Sequence, residues 1–238
     1  MTLRHIIVIK TQCCNRSVTE QTSDGHLPAA VPPPGQGPSA HYAGVMPDST
    51  VAVVLAAGAG TRFVDTRHKL LVRLPAGPDG PSETVSMRAV RHAVDAAIGP
   101  VVVVTGAVPL ELPTGATERH NPAWAEGQAT TLQVALDAAR RLGATSMVVG
   151  LADQPGVSPD AWRSVAAADA PIAVATYDGR RGNPVGLDSE VWHLLPTEGD
   201  EGARRIMRVH ADLVREVPCT GSAADIDTVE DLARWQKS

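Results

Sequence analysis

An unbroken apolar run, Val51 to Leu55, opens directly into Ala56-Ala57-Gly58-Ala59-Gly60-Thr61-Arg62, and this junction constrains the chain more than any other stretch. A run of apolar residues without alternation is expected of a strand covered on both faces. Small residues placed just after it let the backbone come close to a ligand. Exposed amides in such a loop form an anion cradle. Arg62 and Lys69 stand where cations could clamp a triphosphate. The glycines alone leave three readings open. A dinucleotide fingerprint fails at its third glycine, which here is Phe63, and a phosphate-binding P-loop fails because no Gly-Lys-Ser/Thr follows. A plain structural turn remains.

Beyond this junction the pattern alternates. Apolar strands are expected at Val101 to Val104, Met147 to Leu151, Ile172 to Thr176, Pro184 to Leu187 and Leu213 to Val217. Between them lie amphipathic stretches. Val90, Val94 and Ile98 repeat at helical spacing over Val85 to Ile98, and Gly99-Pro100 stops that helix. Leu132, Ala135, Leu136 and Ala139 share one face of a helix over Thr131 to Leu142, with Gly143 as its C-terminal cap. Further helices are expected near Pro159 to Ala168, Glu201 to His210 and Thr228 to Gln236. Strands alternating with helices predict an α/β fold, a three-layer, doubly wound, mostly parallel sheet that binds ligands at the carboxyl ends of its strands.

Residues 1–48 read differently. Five prolines fall between Pro28 and Pro38 among glycine, serine and glutamine, a composition that cannot bury enough surface to offset its ordering entropy. This segment is expected to be a disordered tail, with translation beginning near Met46, and residues 49–238 to form one domain. A hydrophobic content of 43% over 238 residues supports a single core. The net charge of −5 argues against nucleic acid as the main partner, because phosphate backbones demand a basic footprint. Cys13, Cys14 and Cys219 offer neither a disulfide framework nor a zinc knuckle. No apolar run approaches the roughly 18 residues of a membrane span, so a cytoplasmic protein is expected.

The stretch from Leu55 to Lys69 resembles the signature of nucleotidyltransferases related to molybdenum cofactor guanylyl- and cytidylyltransferases, through Leu55, Ala56, Ala57, Gly58, Gly60, Arg62, Phe63 and Lys69. Val64 replaces a glycine of that signature, and Arg62 to Lys69 is two residues longer than usual. Five more segments resemble the family in the same order: Asn121 to Leu132, Asp153-Gln154-Pro155, Gly179 to Val185, Gly199 to Arg204, and Asp225-Ile226-Asp227-Thr228. The resemblance implies a Rossmann-like fold of the nucleotide-diphospho-sugar transferase type. It places Leu55, Ala56, Ala57, Gly58, Gly60, Thr61, Arg62, Lys69, Gly127, Thr130 and Thr131 on the nucleotide. It places Arg181, Gly182, Asn183, Asp200 and Arg204 on the acceptor, and Asp153 and Asp227 on a metal ion. Each has an ordinary alternative: Thr130 or Thr131 as a helix cap, Asp153 as a turn residue, the arginines as surface charges, Asp227 as an N-cap.

The reaction this implies is attack by the terminal phosphate of molybdenum cofactor on the α-phosphorus of CTP or GTP, with Arg62, Lys69 and Asp153 as the catalytic groups. The implied cofactor is Mg²⁺, with Mn²⁺ as the alternative, since a hard cation beside phosphates prefers carboxylate oxygens. The D-Q-P segment and Asn121 to Leu132 lean toward CTP. Two other readings stand beside this one. A different phosphorylated acceptor (a sugar phosphate, methylerythritol phosphate or phospholactate) would keep the fold, and a non-catalytic carrier would hand the cofactor to a molybdenum hydroxylase.

Overall fold

The computed structural model describes residues 49–63, 67–76 and 81–236. The expectations for residues 1–48 and for Val64 lie outside these. A seven-stranded sheet carries the fold, in the order β5 (Ala116–His120), β4 (Val101–Thr105), β1 (Thr50–Ala56), β6 (Ser146–Leu151), β8 (Arg180–Asp188), β7 (Ile172–Tyr177) and β9 (Val214–Pro218). Every neighbouring pair is parallel except those of β8, which runs against both β6 and β7. The sheet is therefore mostly parallel, as the unalternated apolar runs predict.

Both faces of β1 are dry. Val51, Val53 and Leu55 join one cluster with Leu132, Ala135, Leu136 and Ala139 of α2 (Gln128–Arg141) and Ile206 of α4 (Ala203–Val209). Ala52, Val54 and Ala56 join the other with Val90 and Ala93 of α1 (Val85–Asp95) and Trp162 and Val165 of α3 (Pro159–Ala166). Three layers result, and burial of each large side chain contributes roughly 1.5–3 kcal/mol. A smaller cluster of Phe63, Val72, Leu74, Val85 and Ile226 packs with Trp235 of α5 (Val229–Trp235) beside a two-stranded ribbon, β2 (Arg73–Leu74) and β3 (Glu83–Thr84). Arg88 is buried within this corner. It donates to Glu83 at 2.9 Å and to the carbonyls of Pro75 and Pro81, and it stacks 5.2 Å from the Trp235 ring centroid.

The chain leaves β1 toward β4 on one side, and β6 later pairs on the other. The order thus reverses at β1, which puts the ligand-binding crevice at its carboxyl end.

Three expected boundaries shift for physical reasons. α1 ends at Asp95 rather than Ile98, because Ala97 turns to φ 53° and Gly99 to φ 151°. A side chain at Gly99 would lie 2.0 Å from the Thr50 carbonyl oxygen. α2 begins three residues before Thr131, because its first amides find acceptors on a distant loop: Gln128 N–H on the Asp200 carboxylate at 3.2 Å and Ala129 N–H on the Gly199 carbonyl at 2.9 Å. β8 runs back to Arg180, so Arg181, Gly182 and Asn183 lie on a strand. β5 escapes the apolar pattern altogether, since Ala-Thr-Glu-Arg-His forms a largely exposed edge.

Candidate active site

The loop after β1 is shaped by a histidine. His68 lies against it with Nε2 3.1 Å from the Gly58 carbonyl, while Nδ1 accepts from the Leu70 amide at 3.3 Å. These roles require the neutral ring with its proton on Nε2, and burial lowers the pKa of His68 in agreement. Gly60 sits at φ 62°, and a Cβ there would come 2.8 Å from His68 Nε2. Glycine is needed at that position on both counts. A Cβ on Gly58, by contrast, would meet nothing within 4 Å, so that backbone faces open space.

Lys69 follows in a short 3₁₀ turn, Lys69–Leu71. Its ammonium donates to Asp153 Oδ2 and Asp227 Oδ1, each at 2.6 Å, and its side chain is only 10% exposed. Burial by itself would lower its pKa, but the two carboxylates outweigh it and hold the ammonium charged. Asp153 ends the turn after β6, and its other oxygen, Oδ1, is buried without a hydrogen-bond partner. Asp227 is not the cap of α5. Thr228 takes that position in a capping box with Asp231, which leaves the Asp227 carboxylate to the site. Arg62 also reaches Asp227 at 2.9 Å, yet its side chain is 75% exposed, so this pair is worth only about 0–1 kcal/mol. Asp225 stands next to these two carboxylates. Burial, reinforced by Asp153, raises its pKa.

The Asn121 to Leu132 segment frames the other wall. Asn121 is buried, and its Nδ2 donates to the hydroxyls of Thr130 and Thr131, each at 3.0 Å, while its Oδ1 accepts from the Ala123 amide. Thr130 also lies within bonding distance of the Ala123 and Gly127 carbonyls. Neither threonine caps α2. Thr131 lines the cleft and Thr130 does not. The cleft, about 400 Å³, is walled by Leu55 to Arg62, Lys69, Trp124, Gly127, Thr131, Asp153, Asp200 and Asp227, among others. It brings together every residue placed on the nucleotide by resemblance except Thr130.

A second cavity of about 390 Å³ adjoins it, containing Arg181, Gly182, Asn183, Arg204 and Arg208. Leu55, Gln128 and Leu151 line both cavities. Asp200 is the exception among the residues placed on the acceptor by resemblance, since it lines the first cleft and tethers α2. Gln154, buried, links the two sides. Its Oε1 accepts from Asn183 Nδ2 at 3.0 Å, and its Nε2 donates to the Ala223 carbonyl and to Asp225 at 2.7 Å. Sequence reading quoted Asn121, Gln128, Gln154 and Asp225 within its segments but gave them no role. The folded arrangement gives each of them one: Gln128 through its backbone amide on Asp200, Gln154 and Asp225 through each other and Asn183, and Asn121 through bonds within its own segment.

Among the described residues no group of three or more His, Cys, Asp or Glu side chains forms a self-sufficient metal cage. Asp153 and Asp227 nevertheless converge on one point, the position of the Lys69 ammonium, and Asp153 Oδ1 is an unsatisfied hard oxygen. That donor set suits a cation such as Mg²⁺, which is typically bound by one or two carboxylates plus substrate phosphates.

The arrangement matches known proteins. A family model for the MobA-like NTP transferase domain matches residues 52–215. Purine catabolism protein PucB of Bacillus subtilis is 33% identical over 111 residues, covering 44% of this chain and 54% of PucB, about half of that relative's length. The crystal structure of Rv0371c from Mycobacterium tuberculosis is 26% identical, with a TM-score of 0.62 over 80% of this chain and 98% of that one. A manganese complex of Rv0371c superposes with a TM-score of 0.59 at 26% identity, covering 80% and 99% of the two chains. A Methanothermobacter nucleotidyl transferase shares the fold at 22% identity, with a TM-score of 0.64 over 80% and 97%. By class, then, the described residues form a domain of the NTP transferase type. The chain belongs to the MobA-like NTP transferase domain family. No helix among the described residues is long and apolar enough to cross a membrane.

Proposed function

We propose that the domain over residues 49–238 transfers CMP from CTP, or GMP from GTP, to molybdenum cofactor. The terminal phosphate oxygen of the cofactor attacks the α-phosphorus, a phosphoanhydride forms, the α–β bond breaks and pyrophosphate leaves. The observation that carries this reading is the pair of adjoining cavities. One is lined by the small-residue loop with Lys69, Asp153 and Asp227; the other contains Arg181, Arg204, Arg208 and Asn183. Such chemistry asks for positioning and charge neutralisation, with no covalent protein intermediate.

In this reading the amides from Ala56 to Gly60 cradle the phosphates, and Arg62 and Lys69 neutralise them. Thr131, whose oxygen already accepts from Asn121, keeps its O–H to donate to the base. Arg181 and Arg204 meet the anionic acceptor, and Gly182 lets it approach. Asn183 is oriented toward the acceptor by Gln154. Asp153 and Asp227 hold Mg²⁺, which supplies charge neutralisation at the α-phosphate; the manganese complex of Rv0371c supports a divalent ion in this role and Mn²⁺ as its substitute. In this reading a molybdenum hydroxylase receives the finished cofactor.

The test is pyrophosphate release with Mg²⁺ and molybdenum cofactor, offering CTP, GTP, ATP and UTP separately. Release with CTP is expected, and Asp153→Asn should cut it by about 10²–10³ while the protein stays folded. Release only with methylerythritol phosphate or another phosphorylated acceptor would replace the cofactor reading. No release from any pair, with the cofactor bound, would assign a carrier.

A further inference from the structure

We infer that Lys69 is a built-in counterion that blocks the metal seat, so that the divalent ion enters only together with the nucleotide. This rests on the reading of Asp153 and Asp227 as metal ligands and goes beyond it. Two carboxylates from distant segments, Asp153 after β6 and Asp227 before α5, close on one ammonium at 2.6 Å each. A divalent ion held by both of these carboxylates would need the space that Nζ fills. The Lys69 side chain is 10% exposed and those of its partners 18% each, so solvent screens these pairs little and the block is strong.

Displacing that ammonium with a metal alone would strand a buried cation beside a divalent one. Among the described residues, Asp153 and Asp227 are the carboxylates that meet there, since Asp225 beside them is taken by Gln154, and two are too few ligands for an octahedral ion that dehydrates reluctantly. A nucleotide removes both obstacles. Its triphosphate completes the ligand set, and it gives the Lys69 ammonium new anionic partners in the adjoining loop, which lines the same cleft. Lys69 then exchanges carboxylate oxygens for phosphate oxygens, and its charge stays paired throughout. Arg62 cannot play this part, because its guanidinium approaches Asp227 alone, from the exposed side.

The experiment measures Mn²⁺ binding to the full chain without nucleotide, from the electron paramagnetic resonance signal of free Mn²⁺. Lys69→Met is expected to bind Mn²⁺ at least tenfold more tightly than the wild type. Arg62→Met, which removes an equal charge paired to the same Asp227, is expected to change binding less than threefold. Adding Asp153→Asn to Lys69→Met should abolish the gain. If Lys69→Met gains nothing although Asp153→Asn weakens Mn²⁺ binding in the presence of CTP, the block is refuted while the metal ligands stand, and an equal gain in Arg62→Met refutes it as mere charge. A gain that survives Asp153→Asn refutes instead the assignment of Asp153 as a ligand. Circular dichroism reports folding, and Lys69→Gln, neutral and shorter, repeats the measurement should the methionine variant not fold.

Discussion

Replacing Asn121 by alanine tests whether the wall of the cleft beside the glycine-rich loop is held as described. Asn121 is 1% exposed and makes three side-chain hydrogen bonds at 3.0 Å, two as donor to Thr130 and Thr131 and one as acceptor from the Ala123 amide. Each such bond contributes about 1 kcal/mol net. Their joint loss should cost about 3 kcal/mol, since alanine offers no substitute and the site is closed to water. For a domain of this size about 2–4 °C of Tm follows each kcal/mol, so Tm should fall by about 6–12 °C in a scanning calorimeter. A double-mutant cycle with Thr131→Val isolates one bond and should return a coupling of about 0.5–1.5 kcal/mol. A fall below about 2 °C, or strictly additive variants, would show that this network does not hold the wall. Nucleotide affinity should weaken in parallel, because Thr131 loses its anchor.

Gly106→Ala should destabilise the protein by about 1–3 kcal/mol in urea titration, because its Cβ would fall 2.6 Å from Trp124 Cβ and 2.8 Å from the Ala57 carbonyl oxygen. An unchanged midpoint would mean that the loop yields freely. Leu132→Ala, at 1% exposure beneath β1, should cost about 2–5 kcal/mol in the same titration. Acid should loosen the corner that holds α5. Burial alone would raise the pKa of Glu83, but hydrogen bonds from Arg91 and Arg88 outweigh it and hold the carboxyl below its usual 4.5. The ionised form therefore stabilises the fold at pH above the unfolded value, and this contribution disappears as pH falls through the lower, folded one. Glu83→Gln should flatten the loss of stability below about pH 4.5, and an unchanged acid profile would count against the pairing.

Much of this protein is legible in its sequence, and the reason is local. An apolar run such as Val51 to Leu55 is read as a buried strand because it is short, valine-rich and unalternated, and the small residues after it permit close backbone approach wherever the strand lies in space. The same holds for the helical spacing of Leu132, Leu136 and Ala139, and for Gly143, which ends α2 at φ 68°. Tertiary structure alone decided which of several competing local bonds form and what depends on partners far along the chain. The start of α2 was set by Asp200, 72 residues away. Asp227 was released from capping because Thr228 took that role, and Thr130 was drawn out of the cleft by carbonyls of its own loop. The polar edge strand β5 formed because β4 offered it a parallel ladder, although its own residues show no apolar signal. Sequence could nominate Lys69, Asp153 and Asp227 separately, but a spacing cannot express a shared distance of 2.6 Å to one ammonium. That convergence exists only once β6, the turn at Lys69 and the approach to α5 have been folded against one another.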